Sequence, residues 1–235
     1  MLSGSSDAHR ILRACRADPA FRATRSPYLL IDPDLRIAGA NPAFGYAVLR
    51  DPDTLVDQQL FEAFPAPPHQ PDAAGRELVA ASIERVLREG RRDRLPVLRY
   101  DIPAPDGDGF LERMWLVVNS PVDDGRGQVV GVLNHVEDVT ALLGTSGTDG
   151  PGTVAGQACS ALLHSLEAEN RTLRDRFARH VTIEQAKGVL MARRGCDADE
   201  AFTLLRKLSH ETNKKVHVVA EALLAGAASD PDRPS

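Results

Sequence analysis

Residues 144–157, GTSGTDGPGTVAGQ, contain five glycines and no apolar period. Such a composition behaves as flexible coil. It splits the 235-residue chain into two stretches that read with different periods, strands and turns before it and helix after it. The organisation this predicts is a helical extension over 1–21, an α+β domain over 22–141 and a linker over 142–158. A helical domain over 159–226 follows, then a tail over 227–235 that is too polar and proline-rich to pack and is read as disordered. The length suits two small domains. At 43% hydrophobic and 26% charged residues the composition is that of a globular chain.

Upstream of the glycines, Tyr28-Leu29-Leu30-Ile31 reads as a short buried strand. Asp32-Pro33-Asp34 supplies turn chemistry, and Leu35–Ala38 is a second strand, which makes a hairpin. Asn41-Pro42 opens a helix, with Asn41 as cap. Residues 65–75 are a Pro-rich loop. Residues 76–89 carry helical apolar spacing and stop at Gly90. Strands are expected over 95–102, 110–119 and 128–137, separated by Asp106–Gly109 and Asp123–Gly125. Hairpins with segregated helices imply one antiparallel sheet.

Downstream the period is helical. Leu163, Leu166, Asn170, Leu173, Phe177 and His180 recur at spacings of 3, 4, 3, 4 and 3. This is an a/d seam with Asn170 at an a position, where a buried amide favours a parallel dimer. Leu163, Leu166, Asn170, Leu173 and Phe177 are therefore the candidate dimerisation residues; the other reading is one edge of a monomeric bundle. The helix continues through Ile183, Ala186 and Leu190 until Gly195 stops it. Asp197 caps a second helix, with Glu200 completing a capping box. Ala201, Leu204, Leu205 and Leu208 form its buried stripe, and Phe202 and Ser209 are placed on the same side. The turn His210–Asn213 leads to a third helix, ended by Gly226.

Charge is unevenly placed. Segment 171–217 holds eleven basic and six acidic residues, net +5 on a chain of −5, and it contains all four lysines. Such asymmetry points to a polyanion-binding module or to a solvated helical surface. The candidates for contact are Lys187, Arg193, Arg194, Arg206, Lys207, Lys214 and Lys215. Lys214 and Lys215 sit beside a helix N-terminus, which attracts phosphate. Ala186 and Gly188 are small enough to let another helix approach closely.

The nonapeptide Ile183-Glu184-Gln185-Ala186-Lys187-Gly188-Val189-Leu190-Met191 resembles the ANTAR family. So do Asp199-Glu200-Ala201-Phe202, Leu205-Arg206, Ser209, Asn213, Val219 and Ala220. The resemblance covers roughly 165–225. It implies a three-helix domain with a coiled-coil lead-in that acts as a dimer, binds paired RNA hairpins and prevents a terminator from forming. About half of the seven bases would then contact RNA. Phe177 and Phe202 are the only aromatics there and both read as structural, so recognition is expected to rest on phosphates and hairpin shape.

The front domain resembles the PAS family. The residues that carry this are Leu30-Ile31-Asp32, Ala40–Phe44, Leu60-Phe61, Trp115, Ser120-Pro121-Val122, Gly127–Val132 and Asp138-Val139-Thr140. The resemblance implies a five-stranded sheet with helices over one face, used for sensing or dimerisation. No cysteine lies within the domain, because Cys15 precedes it, so flavin-adduct chemistry is excluded. His69 and His135 lack a haem-binding context. No cofactor is expected, and the PAS ligand stays unassigned.

No GxSxG, phosphate loop or metal cluster marks an enzyme. Cys15, Cys159 and Cys196 are too sparse for a disulfide framework or a zinc site. No apolar run reaches ~18 residues, and the N-terminus lacks the build of a secretory signal. These readings predict a cytoplasmic, signal-responsive RNA-binding antiterminator. Its expected partners are RNA hairpins, a second copy, and an RNA polymerase context or an upstream signalling protein, with no membrane. The competing readings are a DNA-binding regulator of helix-turn-helix type and a protein-interaction module.

Overall fold

The computed structural model describes residues 3–67, 74–143 and 154–228. His69, most of the Gly-rich stretch and the tail from 229 lie outside the described residues. The chain divides into two compact units, Met1–Arg174 and Asp175–Ser235.

The first unit is built round β7 (Met114–Asp123) and β8 (Val129–Asp138), paired antiparallel along their length. Both are buried over most of their residues, so MWLVVNSPVD reads as an apolar run and not as an alternation. β1 (Tyr28–Ile31) lies beside β8, and β2 (Ile37–Ala40) beside β1. On the far side β7 pairs with both β3 (Asp93–Arg94) and β4 (Leu98–Arg99). The sheet thus has five positions, β2-β1-β8-β7 and a broken edge. The strand expected over 95–102 is reduced to Leu98–Arg99, since Pro96 interrupts the ladder. β5 (Ile102–Pro103) leaves the sheet to form a hairpin with β6 (Phe110–Leu111). β2 starts two residues later than expected because Leu35 takes a left-handed conformation, φ 60°.

Asp18 ends α1 (Ser3–Ala17) and caps α2 (Pro19–Ala23), its carboxylate accepting from the Ala20 N–H. Asn41 does more than cap α3 (Pro42–Ala47). Its side-chain oxygen accepts from the Phe44 and Tyr28 N–H groups, and its Nδ2 donates to the Ser26 carbonyl. One fully buried amide therefore joins a helix start to a strand start. α4 (Pro52–Leu55), α5 (Leu60–Ala63) and α6 (Ala74–Glu89) complete the helices. A single apolar core holds Leu29, Ile31 and Val132 of the sheet with Phe44, Leu55, Leu60 and Ile83 of the helices.

Helices lie on more than one face, which differs from the expectation. Ile11, Leu12 and Cys15 of α1 are buried, and a Cβ on Gly131 of β8 would lie 2.8 Å from a Leu12 methyl. Glycine at 131 permits this approach. Thr140 explains the Asp-Val-Thr signature at the end of β8. Its hydroxyl accepts from the Met114 N–H, its own N–H donates to Asp138, and α7 (Thr140–Leu143) begins there.

α8 (Val154–Arg194) starts inside the stretch read as linker and runs for 41 residues, its later part forming the second unit. Gly195, φ 63°, ends it. The capping box of Asp197 and Glu200 opens α9 (Ala198–Thr212), and Asn213 ends α9 in the left-handed region, φ 51°. α10 (Val216–Ala228) runs through Gly226, the residue expected to stop it. Ala186, Leu190, Ala201, Leu205 and Ala220 make the buried core of this unit. Three of the five are alanines, so the helices pack with little side-chain volume between them.

Candidate functional site

The seven candidate bases do not form one patch. Arg193 and Arg194 are exposed at the end of α8, three residues before the cap of α9. Lys214 and Lys215 are exposed in the turn beyond the other end of α9. That helix has 15 residues and is therefore about 22 Å long. Ser209 and Lys214 fix the turn, the Ser209 hydroxyl donating to the Lys214 carbonyl at 2.6 Å and the Lys214 N–H to the Ser209 carbonyl at 3.2 Å. The Lys215 carbonyl then accepts from the Val218 and Val219 N–H groups, so two lysines directly precede the start of α10. Arg206 and Lys207 are exposed on α9, and Lys207 lies 3.9 Å from Glu211 in a solvated pair worth little.

Lys187 is placed differently. Its ammonium donates to both Glu184 oxygens, at 2.9 and 3.1 Å, its side chain is only 16% exposed, and it stands 6.0 Å from the centre of the Phe202 ring. It is a paired residue of the packed surface. Phe202 itself corrects the expectation of a core residue, being 39% exposed, with Met191 and Leu208 similarly open. The buried stripe of α9 is narrower than the sequence suggests and centres on Ala201 and Leu205. Nothing lies within 4 Å of where a Gly188 Cβ would be, so close packing does not account for that glycine, whereas Ala186 is fully buried.

The candidate dimerisation residues are also placed unexpectedly. Leu163 and Leu166 lie on α8, with side chains outside the described set. Asn170, Leu173 and Phe177 are covered within a single chain, at 2%, 3% and 3% exposure, so they form no open seam. Within the first unit, Asn170 Oδ1 accepts from the Ser120 hydroxyl of β7 at 3.2 Å, and the Glu169 carboxylate accepts from the hydroxyls of Thr24 and Ser26. The Tyr28 hydroxyl and Asn170 Nδ2 are both buried at this joint, and the Asn170 side chain interacts with the Tyr28 hydroxyl. Burial and the Glu169 charge push the Tyr28 hydroxyl pKa upward. His135, read as lacking a ligand's context, is buried, stacked on Tyr28 at 4.6 Å and 3.3 Å from Glu137.

The first unit also holds an apolar cavity, partly open to solvent, with about 80 Å³ open to water centres, between the sheet and α3, α5 and α6. Phe44, Phe61, Phe64, Trp115 and Val117 line it, and Trp115 donates its indole N–H to the Tyr100 carbonyl at 2.7 Å. Cys15 is no nucleophile, since burial, reinforced by Asp18, pushes its thiol up to about 12. Among the described residues no group of His, Cys, Asp and Glu could hold a metal.

A family model described as the PAS fold matches residues 21–143, just over half of the chain, and one described as the ANTAR domain matches 171–224. The chain belongs to the PAS fold family and carries an ANTAR domain behind it. The PAS match covers the sheet, its helices and the cavity. The ANTAR match covers the later part of α8 with α9 and α10, and so the six exposed candidate bases. No curated protein matches significantly. Among solved structures, a LOV protein of Rhodobacter sphaeroides is 16% identical, covering 86% of this chain and 97% of its own, with a TM-score of 0.49. The PAS domain of a Colwellia psychrerythraea protein is 12% identical, covering 52% of this chain and 92% of its own, at 0.41. An RNA-binding light-oxygen-voltage receptor is 21% identical, covering 90% of this chain and 50% of its own, at 0.35. These scores are low, and the PAS–ANTAR assignment stands on the family models. PAS and ANTAR are regulatory domains, and together they make a signal-sensing RNA-binding regulator. Among the described residues no helix is long and apolar enough to cross a membrane.

Proposed function

We propose that this PAS–ANTAR protein is a cytoplasmic transcription antiterminator that binds paired RNA hairpins as a dimer, on transcripts still held by RNA polymerase, under control of its PAS domain. One observation carries the reading. The ANTAR match falls on a helical unit that displays Arg193, Arg194, Arg206, Lys207, Lys214 and Lys215 on a chain of net −5. Two basic ends about a helix length apart suit two separate stretches of RNA backbone better than one compact anion. The turn at Lys214 and Lys215, backed by the start of α10, is the stronger phosphate site.

Control follows from Asn170 and Leu173. These residues belong to the heptad seam, yet in a single chain they are buried, with Asn170 bonded to Ser120. The same stripe cannot be covered within its own chain and also pack in a parallel coiled coil. Release of Glu169 and Asn170 from the sheet is therefore the step that permits dimerisation.

Titrating the full chain with tandem RNA hairpins, a single hairpin and duplex DNA, with mass measured by light scattering, tests the reading. Tandem hairpins are expected to bind tightest and to a dimer. Equal affinity for a single hairpin overturns pairing, and tightest binding to duplex DNA replaces the RNA assignment.

A further inference from the structure

The PAS cavity and its rim carry a second, chemically specific reading. On the scale where one water needs roughly 10–15 Å³ of such space, the cavity has room for about six waters or a guest of similar size. Its walls are almost wholly apolar, and the side-chain donors among them are engaged. The Tyr100 hydroxyl donates to the Phe64 carbonyl at 2.7 Å, Trp115 donates to the Tyr100 carbonyl, and Asn134 Nδ2 donates to Asn119 Oδ1 at 2.8 Å. The buried body of a guest must therefore be apolar.

Charge is supplied only at the edge. Arg50 and Arg76 stand over the two wall aromatics Phe64 and Phe61, at 5.7 and 4.8 Å from the ring centres. They are not equivalent. Arg50 donates to the Ala63 carbonyl at 2.7 Å, whereas the Arg76 guanidinium makes no hydrogen bond or ion pair among the described residues. Gly75 fixes its position, since a Cβ there would come within 2.4 Å of the Arg99 carbonyl oxygen. The first turn of α6 thus lies against the backbone that carries Tyr100. Burial pushes the Tyr100 hydroxyl up to about 12, and the Arg76 charge acts in the opposite direction, which places that charge close to a wall residue.

We propose that this cavity takes a small apolar monocarboxylate, its hydrocarbon body among Phe44, Phe61, Val79 and Trp115 and its carboxylate paired with Arg76. The guanidinium fork accepts a carboxylate in bidentate fashion, and the same charge disfavours an amine. The inference rests on the reading that the PAS unit senses a signal, and it names the chemical class of that signal.

Hexanoate, hexanamide and hexylamine serve as probes against the full chain, with the fluorescence of Trp115, the only tryptophan, and calorimetry as readouts. Hexanoate is expected to bind roughly tenfold or more tighter than hexanamide, the scale of one charge-assisted hydrogen bond, and hexylamine more weakly than either. Arg76→Gln is expected to erase the preference for the acid while keeping the amide affinity, and Val79→Phe to block both guests with an intact melting transition. Equal binding of acid and amide, or a preference that survives in Arg76→Gln, overturns the carboxylate assignment and leaves a sensing cavity of other specificity. No binding of any probe, with Trp115 unmoved, overturns the sensing reading of the cavity as well.

Discussion

The two units keep their chemistry in opposite places. The PAS unit turns inward: Phe21, Tyr28, Phe44, Phe64, Trp115 and the Asn41 clamp are buried, and an apolar cavity opens between sheet and helices. The ANTAR unit turns outward: its buried core is five residues, while its bases and three large apolar side chains stand open. The contrast teaches that a small guest is selected by a preformed interior, whereas a polyanion is held by a displayed surface whose interior need only keep the helices in place.

The sharpest way to break the contrast is to remove the display. Lys207→Ala, Lys214→Ala and Lys215→Ala together are expected to abolish hairpin binding, with helical circular dichroism unchanged. Every phosphate left without its ammonium partner should lower the slope of log affinity against log salt by about 0.7–0.9. Removing Arg193 and Arg194 instead should leave measurable binding with a smaller slope. A triple variant that binds with an unaltered slope would move the RNA to another face.

Interior changes should act on one unit at a time. Leu205→Ala empties the centre of the ANTAR core and should destabilise that unit by about 2–5 kcal/mol. Asn41→Ala strips bonds from two buried N–H groups and should destabilise the PAS unit by about 2–3 kcal/mol. Hydrogen exchange resolved by peptide separates the two effects, and a single drop in protection shared by both units would erase the division.

Glu169→Ala probes the joint. Freeing this turn of α8 from Thr24 and Ser26 should raise the dimer fraction and strengthen RNA binding several-fold, while adding Leu166→Glu should return the chain to a monomer. An unmoved monomer–dimer equilibrium in Glu169→Ala would show that docking does not compete with dimerisation.

The smallest expected effect is on acid stability. Burial would raise the Asp93 carboxyl, but hydrogen bonds from Ser82 and Arg85 outweigh it and hold the pKa below the usual 3.8. The group therefore stabilises the fold above its unfolded pKa, and the contribution is lost as pH falls through the folded value. With Asp93 partly exposed the effect is under about 1 kcal/mol, and Asp93→Asn should flatten the urea midpoint below about pH 4.

What is legible in the sequence follows a physical line. Asp197 with Glu200, Gly195 and Asn41-Pro42 act within four residues of themselves, so their roles as caps and stops can be read directly. Helical period alone draws the stripe of α9 too broadly. It places Phe202 near Leu205, but the edge of the stripe depends on how closely α8 and α10 approach, and alanines narrow that gap. Lys187 reads as a free base because its pairing with Glu184, one turn away, competes with solvent in a way set by the packing of Phe202. The heptad at Asn170 and Leu173 is real as a pattern, yet a pattern of apolar spacing does not say whether a sheet or a second helix will cover it. Arg76 leaves no mark at all, because its significance comes from Phe61 and Tyr100, which fold back onto it from elsewhere in the chain.

Ala186, Ala201 and Ala220 are each fully buried, and this sets how the protein can evolve. A single added methyl group at any of them would act as a wedge and spread the helix axes, whereas the bases at the two ends of α9 are exposed and lie outside the buried core. The spacing of the grip is therefore frozen while its lettering is free to drift, and new RNA targets can arise by substitutions that leave the thermal stability of the unit where it was.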